Sequence, residues 1–328
     1  MDFTINKYKE FLSVLIGNGY HLITVEEFFK KEFDKFVILR HDVDKLPGNS
    51  LCIAKIQAEK GIKGTYYFRI VPQSFDEKII KEIYSMGHEV GYHYEDVARC
   101  AVRGLRHAAG RRSIRLQDNG RYEEELVKIA IESFQENLAK LREIVPVKTI
   151  CMHGSPMSRW DSRLLWKYYD YRDFGIIGEP YFDIDFNKVF YLTDTGRRWD
   201  GGIVNVRDKG LGIRSEAQSS ERRAQGDNNY NNWKVKPVPG SLMKMSSKSI
   251  DFQNKYKFGS TSEIILAAER GELPDKIMMT FHPQRWTDKL VPWVSELVWQ
   301  NVKNVGKYFL VKWRDKEEVG SRKLGLHF

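Results

Sequence analysis

The chain has 328 residues, is 41% hydrophobic and 30% charged, and carries a formal net charge of +9. The hydrophobic content is ample for a buried core, and the longest apolar run near the N-terminus, residues 11–16, is too short to cross a bilayer and lacks the features of a secretory signal. We therefore expect a cytoplasmic protein with no membrane span, and the absence of a recognition motif argues against nucleic acid as a partner of the positive charge.

The first 35 residues are expected to form a helical lead-in, in which Thr24-x-x-Glu27 has the pattern of a capping box at a helix start. The same pattern recurs in Ser74-x-x-Glu77 and Ser260-x-x-Glu263. Residues 36–328 are expected to form a single barrel domain.

Apolar segments typical of strands alternate with helical patterns along this domain. The predicted strands are residues 36–44, 63–70, 88–95, 149–153, 174–177, 189–193 and 277–282. Such alternation indicates parallel strands with right-handed crossovers. Seven strands are one short of a full eight-stranded barrel, so the predicted fold is α/β, an incomplete or distorted (β/α)7-8 barrel. The polar stretch at 208–254 breaks the rhythm and is predicted to be a surface insertion.

Acidic and histidine side chains end four of the predicted strands. They are Asp42 and Asp44, His93 and Glu95, His153, and His282. In parallel α/β barrels the carboxyl ends of the strands form one rim, which carries the chemistry. Four strands that deliver such residues to one rim indicate a metal-assisted active site.

The two-residue period of a strand sorts these candidates. Asp42 and Asp44 face the same side, whereas His41 faces away. His93 and His88 are an odd number of residues apart, so His88 is expected to pack beneath the site. Aspartate combined with distant histidines suits a divalent cation such as zinc, which keeps a position open for water.

Two structural explanations compete with this metal site. Asp42 and Asp44 could cap a strand–helix turn by accepting backbone hydrogen bonds, as aspartates commonly do. His153, which is followed by Gly154, could be an ordinary loop histidine.

Possible substrate-binding residues lie in two places. The segment 191–200 contains Trp199 and Asp200, and Arg285 and Trp286 follow the last predicted strand closely. Tryptophan beside carboxylates is a common sugar-binding composition, because the ring stacks on apolar sugar faces. A solvated turn with an incidental aromatic residue is the alternative.

Residues 99–121 contain seven arginines and no lysine. A solvated loop explains such a charge run, and so does a lid that faces phosphate, because arginine binds phosphate in a bidentate manner.

Three motifs together resemble the polysaccharide deacetylases of carbohydrate esterase family 4, which have the NodB-homology fold. Leu39-Arg-His-Asp-Val-Asp44 resembles the family's strand that ends in Thr-Phe-Asp-Asp. Gly87-His-Glu-Val-Gly-Tyr-His93 resembles the Gly-His-Glu-Ile-Gly-x-His segment, and Thr280-Phe-His282 resembles the late Leu-x-His. The resemblance extends in order over residues 36 to 310 and implies a barrel of the NodB-homology type.

The resemblance also implies roles for these residues. Asp42 would be the general base, and His282 would be the general acid. Asp44 and His93 would be ligands of the metal. Because Val43 separates the two aspartates, which are adjacent in the family, their roles could be exchanged.

The chain departs from the family at the second histidine of the metal motif, which falls at Val97, a residue that cannot bind a metal. His153 is the leading replacement ligand, and Glu95 is the alternative to it and otherwise a substrate-binding residue. A nearby carboxylate, from Asp194 or Asp200, is expected to hold the acid protonated.

The implied activity is a metal-dependent hydrolase that removes an acetyl group from an N-acetylated sugar in cell-surface glycan biosynthesis. A nucleotide-linked or lipid-pyrophosphate-linked sugar would also give the arginine-rich segment a ligand. Two alternatives remain: a glycosyltransferase in which Asp42-Val-Asp44 holds a metal and a nucleotide sugar, and a catalytically inactive barrel that binds glycan.

Overall fold

The computed structural model describes four parts of the chain, residues 1–108, 119–154, 160–199 and 255–302. The insertion predicted at 208–254 and Asp200 lie outside the described residues, as do the side chains of the arginine-rich segment's arginines other than Arg99. No helix within the four described parts is long and apolar enough to cross a membrane.

Seven parallel strands form one sheet that curls into a half-barrel. The strands are β1 (His21–Ile23), β2 (Phe36–Val43), β3 (Thr65–Phe68), β4 (Glu89–Tyr94), β5 (Ile150–Met152), β6 (Phe190–Thr193) and β7 (Lys276–Phe281). Their order is β5-β4-β3-β2-β7-β6, and β1 pairs with the first residues of β2. The predicted α/β class is confirmed, and the half-barrel is compatible with the predicted incomplete barrel.

Helices connect the strands. They are α1 (Ile5–Gly17), α2 (Val25–Lys30), α3 (Pro47–Glu59), α4 (Glu77–Ser85), α5 (Asp96–Ala108), α6 (Asn119–Arg142), α7 (Leu165–Tyr168), α8 (Pro180–Asp183) and α9 (Thr261–Glu269). Residues 290–302 are also helical. Helix α1 contacts α9, which is distant in sequence, and α5 contacts the next helix, α6.

Side-chain caps begin the helices at two of the three predicted places. The capping box at residues 24–27 is present, each side chain accepting the other's backbone N–H. Ser260 caps α9. The box predicted at Ser74 is wrong, because Asp76 caps α4. The hydroxyl of Ser74 instead donates to the carbonyl of Val43 and ties down the end of β2.

Two strands differ from the sequence prediction. Residues 1–35, expected to be a helical lead-in, also contribute the strand β1 to the sheet. The strand predicted at 174–177 is wrong: residues Tyr171–Phe174 form a 3-10 turn, and Gly175 ends it with a φ of +70°. Only an isolated parallel bridge between Thr149 and Gly178 follows, because the chain becomes extended too late for a longer pairing.

His41 lies on the outer face of β2, as the strand alternation predicts. Its ring stacks on Tyr66, with the ring centroids 4.3 Å apart, and its Nδ1 donates to the carbonyl of Thr65. Its Nε2 is 3.1 Å from the hydroxyl of Tyr8. Burial lowers the pKa of His41 to about 3, so the folded protein keeps this ring neutral.

We expect His41 to make the protein less stable in mild acid. The unfolded chain protonates this ring near pH 6.5, whereas the folded protein does not until about pH 3. The contribution of the neutral His41 ring to the free energy of unfolding is complete above pH 6.5. It is lost as the pH falls, by about 2 kcal/mol at pH 5. Urea unfolding of the wild type and of His41→Asn between pH 7.5 and 5 measures the difference in slope.

The matched control is the exposed His21, because His21→Asn is expected to keep the wild-type pH dependence. A His41→Asn variant whose stability changes with pH just as the wild type does would contradict the prediction.

Candidate metal centre

Three side chains meet at the carboxyl edge of the sheet, where β2, β4 and β5 end. Asp44 Oδ1 is 3.6 Å from His93 Nε2 and 3.4 Å from His153 Nε2. The register explains the meeting, because His93 pairs with Cys151, two residues before His153. One ligand atom of each residue lies within 4.8 Å of the other two, so this group could hold a metal ion.

The spacing of these atoms fits a shared divalent ion. Two atoms that bind zinc at about 2 Å and near the tetrahedral angle are about 3.3 Å apart. Asp44 Oδ1 is buried and has no hydrogen-bond partner among the described residues. An unpaired buried carboxylate oxygen is costly, and a cation between it and the two imidazole rings would remove that cost. The identity of the ion stays a prediction.

Both histidines direct Nε2 toward Asp44 because other groups occupy the side of Nδ1. His93 Nδ1 is 2.9 Å from the carbonyl oxygen of Cys151, which can only accept, so Nδ1 carries the proton. His153 Nδ1 lies 3.1 Å from Glu95 Oε2, close but without hydrogen-bond alignment. Such outer partners orient metal-binding histidines and leave the Nε2 lone pair free for the ion.

The electrostatics of the site favour the protonation states that bind metals. Burial opposes ionisation of Asp44, but the neighbouring histidines, His153 first, outweigh it and lower the pKa to about 2. Burial lowers the pKa of His93 to about 4, against the opposing charge of Asp42. Burial likewise opposes ionisation of Glu95, yet His153 and Arg69 lower its pKa to about 2. Near neutral pH, Asp44 is therefore a carboxylate and His93 is neutral.

Asp42, the predicted base, lies beside the three-residue group. Its Oδ2 is 3.5 Å from His93 Nε2. The Arg40 guanidinium donates to both of its oxygens, from Nε at 2.8 Å and from Nη2 at 2.7 Å. Burial opposes the ionisation of Asp42, but the charge of Arg40 outweighs it and holds the pKa well below the usual range.

His282, the predicted acid, approaches Asp44 from the other side. Its Nε2 is 3.9 Å from Asp44 Oδ2, and it is not a member of the three-residue group. Its Nδ1 is 2.5 Å from Asp194 Oδ1, and its backbone N–H donates to Asp194 Oδ2 at 2.9 Å. Of the two carboxylates expected to hold this histidine, Asp194 is therefore in contact with it.

The two tryptophans predicted to bind substrate are buried. Trp199 is 3% exposed and donates its indole N–H to the hydroxyl of Thr261. Trp286 is 1% exposed and donates to Asp194. Both indoles pack against Phe3. These positions do not favour stacking of Trp199 on a sugar, and substrate binding by either residue stays a prediction.

The two charged residues of the same prediction also have other partners. Arg285 is buried and donates to the carbonyl and to a carboxylate oxygen of Asp194, the residue in contact with His282. Glu95 is buried and is bound through both oxygens by Arg69. Substrate binding by these two residues stays a prediction.

His88 has a structural role, and two further residues near the site, Arg69 and Gln284, were not predicted from the sequence. His88 accepts a backbone N–H from Gly64 and donates to a carbonyl of α3, away from the site as predicted. Sequence reasoning missed Arg69 and Gln284, although each follows a strand of the sheet, as the predicted site residues do. Gln284 Nε2 donates to Asp44 Oδ2 at 3.3 Å, which leaves Oδ1 to face the histidines.

Comparison of this chain with models of protein families, with curated proteins and with solved structures finds no match in any of the three.

Proposed function

We propose that this protein is a metal-dependent hydrolase that removes an acetyl group from an N-acetylated sugar. The observation that carries the proposal is the grouping of Asp44, His93 and His153 between a buried carboxylate and a carboxylate-bound histidine. A metal ligand group flanked by a base and an acid is what hydrolysis of an amide requires. The sugar substrate is inferred from the three motifs that resemble the polysaccharide deacetylases.

Asp44, His93 and His153 would hold the metal, and zinc fits their donor atoms. When bound, such an ion would supply Lewis acidity, which would polarise the amide carbonyl and would lower the pKa of water toward about 7. The remaining chemistry belongs to the side chains on either side of this group.

Asp42 takes the proton of the attacking water in this proposal. The ion pair with Arg40 keeps it in the carboxylate form, which can accept a proton. Arg40 uses one hydrogen-bonding position on each oxygen. Because a carboxylate has about four such positions, Arg40 does not use all of them.

His282 gives a proton to the departing amine. Asp194 lies against Nδ1, so the proton to be transferred is the one on Nε2, the atom that faces Asp44. The negative charge of Asp194 stabilises the positively charged ring, and Arg285 and Trp286 fix the carboxylate in turn. The products are acetate and a free amino sugar.

The first test measures zinc binding and acetate release in parallel. Wild-type protein is expected to bind one equivalent of zinc and to release acetate from N-acetylglucosamine in free, oligomeric or nucleotide-linked form. Asp44→Asn should lose both properties, because it removes a charged ligand. The exposed Asp185 supplies the matched control, and Asp185→Asn should retain both.

Zinc binding without acetate release from any of the three forms would contradict the deacetylase proposal and leave the metal centre standing. Loss of zinc without loss of acetate release in Asp44→Asn would contradict the role of the metal.

The structure does not favour the glycosyltransferase alternative. In that alternative, Asp42 and Asp44 would hold a metal together, yet the group that could hold an ion joins Asp44 to His93 and His153 and does not include Asp42. The inactive-barrel alternative depends on Val97, which cannot bind a metal and is fully buried in α5. His153 lies beside Asp44 and could serve as the third ligand in place of the histidine that Val97 replaces.

A further inference from the structure

Arg69, at the end of β3, contacts two parts of the metal centre at once. Its Nε and Nη2 donate to Glu95 Oε1 at 3.2 and 2.9 Å, and Nη2 also donates to Oε2 at 2.8 Å. Its Nη1 donates to the backbone carbonyl of Asp44 at 3.2 Å. One guanidinium therefore joins the loop that carries Asp44 to the carboxylate that lies beside His153.

Glu95 is a carboxylate beside one of the residues that could hold the metal. Its carboxylate is only 3.1 Å from His153 Nδ1, and it is 5% exposed. This distance is to the ring nitrogen opposite Nε2, the atom of His153 that faces Asp44. If the Glu95 side chain were released and turned toward the ion, it would become a competing ligand, because carboxylate oxygen binds most divalent ions. Arginine–carboxylate pairs with several charge-assisted hydrogen bonds are strong and geometrically specific.

We propose that Arg69 is a positioning residue that keeps Glu95 out of the metal's coordination shell. The donor set is thereby restricted to the two imidazole nitrogens of His93 and His153 and one carboxylate of Asp44. This inference rests on the proposed metal centre but not on the deacetylase reaction. Its consequence is selectivity: imidazole donors favour zinc, and an added carboxylate favours harder ions such as Mn²⁺.

Cobalt(II) is the probe for this inference, because the intensity of its visible absorption falls when the coordination number of the ion rises from four to five or six. The metal-free protein is titrated with Co²⁺, and competition with Zn²⁺ and Mn²⁺ gives relative affinities. Arg69→Met is expected to weaken the cobalt absorption and to lower the preference for Zn²⁺ over Mn²⁺ by roughly 10-fold or more, the scale of outer-shell effects.

Two variants make this result specific. Arg99→Met removes another half-buried arginine, whose guanidinium donates to the carbonyl of Ile70. The backbone N–H of Arg99 donates to the backbone carbonyl of Glu95, and methionine keeps that bond, so this variant should keep the wild-type spectrum. Arg69→Met combined with Glu95→Gln should restore the wild-type spectrum, because the neutral amide is a poor ligand. A merely structural role of Arg69 would give no such restoration.

An unchanged cobalt spectrum and an unchanged metal preference in Arg69→Met would overturn the inference, as would a failure of Glu95→Gln to restore them. If Arg69→Met does not fold, Arg69→Lys, which keeps the charge but loses the fork, should show the same change in smaller degree. A wild-type protein that binds cobalt but releases no acetate would defeat the proposed reaction alone. A wild-type protein that binds neither ion would defeat the metal centre and this inference together.

Discussion

Replacing His282 by alanine is expected to leave the zinc content of the protein near that of the wild type while turnover falls roughly 10²-fold or more, the usual effect of losing a general acid. The physical reason is the geometry: His282 Nε2 is 3.9 Å from Asp44 Oδ2, and Asp194 fixes the ring from the other side. Metal analysis and acetate release, measured on the same preparation, check the result.

His93→Ala is the comparison variant, because it removes a residue of the three-residue group itself. It should lose zinc and turnover together. If His282→Ala loses as much zinc as His93→Ala, then His282 is a ligand, and another group must supply the proton.

Arg40→Met is expected to lower the free energy of unfolding by about 3–5 kcal/mol, the range found when one partner of a buried ion pair is removed. Arg40 is fully buried, and Asp42 is 2% exposed. The variant would leave the Asp42 carboxylate with its charge uncompensated inside the half-barrel. Urea denaturation at neutral pH measures the loss.

The double variant Arg40→Met with Asp42→Asn separates this cause from a general packing defect. Removing both charges should recover much of the stability, because no unpaired charge remains buried. A loss below about 1 kcal/mol in Arg40→Met would contradict the prediction, since it would place the pair among exposed ion pairs of little energetic value.

Much of the site could be predicted from local patterns. Parallel strands align their carboxyl ends, so residues that close buried strands must approach each other, as Asp44, His93 and His153 do. Strand alternation also separated His41 from Asp42 correctly, because a two-residue period needs no knowledge of the rest of the fold.

Other features depend on contacts between distant segments, which no local pattern contains. Trp199 lies in a segment whose composition is typical of sugar binding, but Phe3, from the start of the chain, packs against its ring. The role of Arg69 depends on the neighbouring positions of β2, β3 and β4, which bring it to Glu95. The strand predicted at 174–177 failed for a local reason, the left-handed conformation of Gly175.

The order of the strands has a bearing on synthesis of the protein in the cell. The three residues that could hold a metal come from positions 44, 93 and 153, whereas His282 and its partner Asp194 come from much later in the chain. On the ribosome, the three residues that could hold a metal therefore emerge long before His282 does. Strand β2 also waits for β7, its partner on one side, until most of the chain has been made. An unpaired central strand can associate with other chains. Slow translation or a shortage of chaperones is therefore expected to cause aggregation of the unfinished chain, even when the folded protein is stable.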